Sequence, residues 1–543
     1  MYTHWARIYK GVHTWTGLLA GMALFIAFYA GALTVFKEPI TRWASPPAPA
    51  ANWVALEQTP ALIRQILNAR PQVGREFFVE LHPQHSQRAQ LRWQVAGPEA
   101  DEHDQLSRRH FMATLDAAGG AVTLPLQPAP VAELIDVLHR VVGLPFDTEY
   151  NRWLMGVVAL LYAVALLSGL VILLPTLSKD LFAFRPGRNR KRLWLDAYNL
   201  VGLVSLPFHL VIALTAVGFA FHDGIYTLQD KVVHDGGLGR MFRAGKPAPD
   251  PESRSHSELL PPGDLLDRFK VLAPELEPTR LQYLRIDSPM PMVSVWANDP
   301  VAMNARAWGS FAVLHPYTGA VLNTDYLPAQ QGPAFAAINT IFSLHFVTFG
   351  GAVQKWVYFG LALAGAWLFY TGNLLWVESR RRAQRRHQSP TLQPPRTQWV
   401  AALTVGVCLG SVAGISVTLA AAKWLPGCVE DLLLAHQLLY YGVFFGSLAW
   451  AIRLDPARGA VHLLWLAAGA TAAIPGSSLL GALGWVPGLW WYPRMDSLGV
   501  DLTAMVAALG FFLMARRLQQ RISRGPSDSV WGELNARGYK GNA

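Results

Sequence analysis

The chain has 543 residues, of which 52% are hydrophobic and only 15% charged, a balance that excludes a soluble protein of this length and points to a polytopic membrane protein. Its formal net charge of +10 does not indicate nucleic acid, because the basic residues gather beside apolar runs, where the positive-inside rule accounts for them. Cys408 and Cys428 would stand about 30 Å apart on a helix, too far for a disulfide, and the sequence holds no Walker, Rossmann, Gly-x-Ser-x-Gly or His-Glu-x-x-His motif.

The first apolar run, Gly11 to Phe36, follows Arg7 and Lys10 and exceeds the about 20 helical residues that a bilayer core requires. It is too long for the apolar part of a signal peptide, so Ala48-Pro49-Ala50 is not read as a cleavage site and residues 1–40 are expected to form a retained first span. Residues 41–130 have soluble composition. They predict a helix near Ala61 to Ala69, strands at Glu76 to Leu81, Gln90 to Ala96 and His110 to Leu115, and a turn from Asp116 to Gly120. Within 131–178, Val131, Ile135, Leu138 and Val142 form a helical stripe on a short helix that bears His139, and a second span, Trp153 to Leu174, follows.

Residues 179–192 form a basic loop with Lys179, Arg185, Arg188, Arg190, Lys191 and Arg192. The third span, 193–221, is read as one helix with Tyr198 near its start and His209 about 16 Å further along its axis. Residues 222–335 repeat the soluble pattern, with a helix at Pro262 to Leu272 and strands at Arg280 to Ile286, Met292 to Ala297 and Trp308 to Leu314. The fourth span, 336–378, is expected to carry His345 near its start. A basic linker at 379–398, four more spans within 399–517 and a basic tail at 518–543 complete the chain, which places both termini in the cytoplasm.

His-x-x-x-Gly-Leu occurs at His13 to Leu18 and at His139 to Leu144, and with tyrosine in place of histidine at Tyr198 to Leu203. Ionisable groups in a bilayer are costly and usually pair, line a polar path or bind a metal. His139 and His345 occupy equivalent places in two units that each read span, α+β domain, His-bearing segment, span. Two facing imidazoles suit low-spin haem iron, whereas zinc would want further ligands. His13 could act alone, with Tyr198 or with a histidine such as His462. His209 is a fourth candidate, and interhelical hydrogen bonding is the competing explanation for each. His436 and His462 read as such hydrogen bonders. His82, His85, His103, His222, His234 and His315 read as solvated.

These segments, with Leu206-Pro207-Phe208, Ala213-Leu214-Thr215-Ala216, Tyr317-Thr318-Gly319-Ala320-Val321 and Leu344 to Gly351, resemble the PepSY-associated transmembrane family, which includes inner-membrane reductases for ferric siderophores. The resemblance covers roughly residues 8–378. It implies a membrane α-helical fold of about eight transmembrane helices with two periplasmic α+β (PepSY-like) domains in an internal repeat. It also implies one or two haem b groups, with His139 and His345 matching one ligand pair and His13 another. The chain departs from the family pattern at Tyr198, where histidine is usual, and His209 is the expected substitute partner for His13.

The implied activity is an oxidoreductase of the bacterial inner membrane, passing electrons from a cytoplasmic or quinol donor to a periplasmic ferric siderophore, beside accessory iron-uptake proteins. Two other readings compete with it. One is a membrane-anchored binding or regulatory module for a protease or uptake partner. The other is a transporter, for which Asp501 in the last span is the chief support. Reporter fusions after positions 188 and 386 should behave as cytoplasmic and fusions near 100 and 250 as periplasmic; the reverse pattern would invert the electron path.

Overall fold

The computed structural model describes residues 2–47, 53–96, 106, 108–174, 190–233, 255–299, 309–381, 393–524 and 529–531. The basic loop up to position 189, Arg382, Arg385, Arg386, Trp308, His103 and His234 lie outside the described residues. The chain divides into two units. One comprises 1–46, 128–220 and 357–543, the other 47–127 and 221–356.

The first unit is helical. It begins with α1 (Tyr2–Thr34) and a short α2 (Lys37–Ala44). In the sequence reading α2 fell between the first span and the first α+β domain. It belongs to the helical unit because its apolar face, Ile40, Trp43 and Ala44, is buried there. After α3 (Thr59–Ala69) in the other unit, α4 (Val131–Arg140) and α5 (Glu149–Leu173) return to the helical unit. Thr148 caps α5 by accepting the Asn151 backbone N–H.

The third span is two helices, α6 (Arg190–Val204) and α7 (Leu206–Ala220), bent by 64°. Pro207 explains the break, because its ring lacks an N–H and clashes with the carbonyl one turn back. Ser205 Oγ donates to the Val201 carbonyl at 2.6 Å beside the bend. The straight-helix separation of Tyr198 and His209 therefore does not hold.

His345 also lies elsewhere than expected. It closes α10 (Pro333–Phe346), which ends at Val347 with φ +50° before α11 (Gly351–Ser379) begins. A left-handed terminator of this kind stops a helix and satisfies its last carbonyls, here through Thr348 N–H to Ser343 O. His139 ends α4 in the same way, three residues before Val142 at φ +50°, with Gly143 N–H bonded to Leu138 O. Four long helices follow: α12 (Pro395–Ala421), α13 (Leu432–Arg453), α14 (Pro456–Ala482) and α15 (Met495–Arg524). Among the described residues seven helices are long and apolar enough to span a membrane, eight with the bent pair taken as one span. This is a multi-pass membrane protein.

The second unit contains α8 (His222–Val233), α9 (Pro262–Leu272) and one antiparallel sheet. Its strands are β1 (Val54–Ala55), β2 (Glu76–His82), β3 (His85–Val95), β4 (Arg109–Leu115), β5 (Ala121–Leu126), β6 (Glu277–Leu284), β7 (Met292–Asn298), β8 (Ser310–Leu314) and β9 (Val321–Asn323), in the order β5-β4-β3-β2-β6-β7-β8-β9 with β1 beside β3. The two α+β stretches thus share a single sheet, joined where β2 pairs with β6 from Glu76↔Leu284 to Glu80↔Arg280. At that seam Phe77 and Tyr283 stack with ring centroids 4.5 Å apart, both fully buried. Sequence reasoning missed β1, β5 and β9. The first is two residues long and the last three, while β5 carries Pro125, which suits its place at the edge of the sheet.

A charged cluster ties α2 to α4. Lys37 Nζ lies 2.6 Å from Glu133 and 2.9 Å from Asp136, and Arg140 bonds Glu133 and the buried Asp147, which also takes Arg152. Burial alone would raise the Asp136 pKa, but Lys37 and Arg140 outweigh it and hold the carboxyl below its usual value. Burial alone would lower Lys37, but Asp136 and Glu133 outweigh it and raise the ammonium. The depressed Asp136 contributes stability that is present above its unfolded value, about 3.9, and lost as pH falls through the lower folded value. The raised Lys37 contributes below about 10.4, and that is lost as pH rises through the higher folded value. Unfolding of the purified protein should therefore be nearly independent of pH between these limits as far as this cluster is concerned. Asp136→Asn should flatten the acid limb, and an unchanged acid limb would show that the cluster contributes nothing.

Candidate functional site

His13 and His139 are seated alike. His13 Nδ1 lies 2.8 Å from the carbonyl of Ala165 on α5, and a Cβ on Gly169 would come within 3.0 Å of its Cε1. His139 Nδ1 lies 2.8 Å from the carbonyl of Ala27 on α1, and a Cβ on Gly31 would meet that nitrogen at 2.8 Å. Each ring enters a notch made by Ala-x-x-x-Gly on the neighbouring helix. The alanine carbonyl accepts a hydrogen bond and the glycine one turn on leaves room for the ring. Carbonyl oxygens only accept, so Nδ1 carries the proton and Nε2 carries the lone pair of the neutral imidazole. Burial pushes the His139 pKa below its usual value, with the Ala27 bond and Asp136 acting the other way. This ring is neutral at pH 7.

His209 is held differently. Its Nδ1 is 2.5 Å from the Tyr162 hydroxyl, and its buried Nε2 has no hydrogen-bond partner. Phe28, Phe208 and Tyr162 surround the ring with centroids 5.6, 5.5 and 6.0 Å away, and Gly365 lies against it. An orphaned nitrogen this deep costs about 1–3 kcal/mol unless something pairs with it.

The positions along α1 decide which histidines can act together. His209 packs beside Phe28, next to the Ala27 that holds His139. His13 and Phe28 are 15 positions apart, about 22 Å along the helix axis. Hence His13 and His209 cannot ligate one iron, and the expected pairing is corrected: His209 shares the level of His139. Tyr198 lies against Gly372, whose neighbour Asn373 lies against Gly21, two turns of α1 from His13. His345, in the sheet unit, packs its ring 5.3 Å from Phe346.

In the helices after α11, His462 accepts the Trp450 indole N–H at 3.2 Å, an interhelical bond as expected. His436 bonds the Leu432 carbonyl of its own helix. Among the described residues no three His, Cys, Asp or Glu side chains cluster as a metal site built from protein ligands alone would need. Sequence reasoning missed the seats themselves. The available signal was the Ala-x-x-x-Gly spacing inside two spans, which marks close helix approach.

Residues 11–379 match the family model described as the PepSY-associated TM region. No curated protein matches the chain. The seats lie within the matched region, and the glycine contacts generate a contrast. Gly31→Ala should destabilise the protein by about 1–3 kcal/mol, because the ring it would strike is fixed by its carbonyl bond. Gly17→Ala, with nothing within 4 Å of the new methyl, should be neutral or stabilising by up to about 1 kcal/mol. Equal effects in detergent unfolding curves would mean that the notch is not tightly packed.

Proposed function

The chain belongs to the PepSY-associated TM family, and on that premise we propose that it is a haem-containing reductase of the bacterial inner membrane. Electrons pass outward to ferric iron held by a siderophore, which is released as ferrous iron. The observation that carries this reading is the repeated seat of His13 and His139, whose Nδ1–carbonyl bonds would make Nε2 the nitrogen that meets a metal. Such an outer-sphere bond orients a metal-bound histidine and raises its basicity.

A macrocycle that supplies four nitrogens needs only axial ligands from the protein, which suits single well-oriented imidazoles in a chain whose described residues hold no three-ligand cluster. His139 and His13 would each hold one such group near opposite ends of α1. His209, with its orphaned Nε2 at the His139 level, is the nearest internal candidate for a second outer ligand, and His345 is the candidate by repeat symmetry. Haem supplies reversible one-electron chemistry. The residues of this chain orient the imidazoles, exclude water around His209 with Phe28, Phe208 and Tyr162, and keep His139 neutral. Each ferric chelate takes one electron, so a two-electron quinol donor would serve two of them. Both termini lie in the cytoplasm in this reading, and the two halves of the sheet are periplasmic PepSY-like repeats, since β2 to β5 behind α3 and β6 to β9 behind α9 follow the same order.

Reduced-minus-oxidised spectra of the purified protein test the proposal. Bands of b-type haem are expected, with loss or a low-spin to high-spin change in His139→Ala and separately in His13→Ala, and no loss in Tyr198→Phe. His209→Ala should alter the same centre as His139→Ala and not the His13 centre. A protein without haem bands would leave a binding module as the better reading.

A further inference from the structure

The helices beyond residue 379 lie outside the family match, and a buried polar cluster of the helical unit joins them to α2. Trp43 is 1% exposed. Its indole N–H donates to Asp501 at 2.9 Å and to Ser478 at 3.0 Å, and Lys423 Nζ sits 4.2 Å above its ring. Lys423, itself 2% exposed, donates to Ser478 Oγ at 2.8 Å and to the Trp490 carbonyl at 3.2 Å, so the π face of Trp43 completes its coordination. Ser478 in turn donates to Asp501 at 2.8 Å. Buried charges are tolerated only where hydrogen bonds are fully made, and here the set closes only with a side chain from α2. The backbone is gripped as well. Trp490 Nε1 donates to the Trp43 carbonyl at 3.1 Å and the Tyr492 hydroxyl to the Ser45 carbonyl at 3.0 Å.

α2 also holds α4. Lys37 binds Glu133 and Asp136, and the Ala129 N–H donates to Ser45 Oγ at 2.9 Å just before α4 begins. A second link reaches the other end of α4, where the Tyr441 hydroxyl of α13 donates to the Leu144 carbonyl at 2.8 Å. His139 lies between these two attachments. We propose that the C-terminal helices act as a brace that positions the His139 imidazole, with Trp43 as the key and Lys37 as the transmitting contact. Trp43, Lys423, Asp501 and Lys37 are positioning residues. This rests on the functional reading only in making His139 a ligand; the mechanical link stands without it.

Hydrogen exchange of the purified full chain, read beside its visible and electron paramagnetic resonance spectra, tests the brace. Trp43→Phe deletes the indole N–H and keeps a ring under Lys423. Lys37→Met removes the ion pairs between α2 and α4 and leaves the Trp43 cage whole, so it remains informative if the first variant folds poorly. Either should speed exchange of the α4 amides about five- to tenfold, as loss of one charged or buried indole hydrogen bond implies, while α5 amides stay unchanged. The double variant should add little, because the two contacts act in series. Both variants should also shift the g values and midpoint potential of the His139-dependent centre and not those of the His13 centre. Unchanged α4 exchange in both variants would overturn the brace. A haem-free protein with accelerated α4 exchange would retire the cofactor reading and leave the brace standing.

Discussion

A polar group inside a membrane bundle has no water to turn to, so it is stable only where its own or a neighbouring helix offers a partner. In this protein that constraint is met most economically by backbone carbonyls next to glycine. A helical carbonyl already accepts one bond from its own helix and has a second lone pair to offer, but a side chain can reach it only where the neighbouring surface is cut away. Gly31 and Gly169 provide the cut. The same bond that seats each imidazole also selects its tautomer, so one interaction fixes both the orientation of the ring and the protonation of its other nitrogen.

The helix breaks follow from the same requirement. Pro207 divides the third span, and the second helix of that pair brings His209 into the Phe28, Phe208 and Tyr162 box instead of continuing along a straight axis. Val142 and Val347, both at φ +50°, end the helices that bear His139 and His345 within three residues of each histidine. A β-branched residue in that conformation is strained, and here it stops one helix three residues after His139 and the other two residues after His345.

Charge and aromatic packing solve the problem where glycine does not. Around Trp43, a buried lysine, aspartate and serine are reconciled by an indole that donates through its nitrogen and accepts a cation on its face. The cluster unites residues more than four hundred positions apart, from within the family-matched region and from beyond it. In the other unit, burial of Phe77 against Tyr283 joins two stretches far apart in sequence into one sheet.

Composition and apolar run length alone determined that the chain is a multi-pass membrane protein, because spanning a bilayer demands long helices of apolar residues whatever their packing. The period-two stretches likewise located six of the nine strands, and the repeated His-x-x-x-Gly-Leu segments singled out His13 and His139, since local pattern reports the local environment. Neither α2 nor the bend at Ser205 was legible, because a short amphipathic helix and a proline-interrupted span both resemble ordinary continuations of their neighbours. The level at which each histidine sits was decided only in three dimensions. The family resemblance put His209 with His13, in place of the histidine that Tyr198 replaces, but the level at which α7 meets α1 puts it beside His139, and that level is set by side-chain packing between helices, which one-dimensional periodicity does not contain.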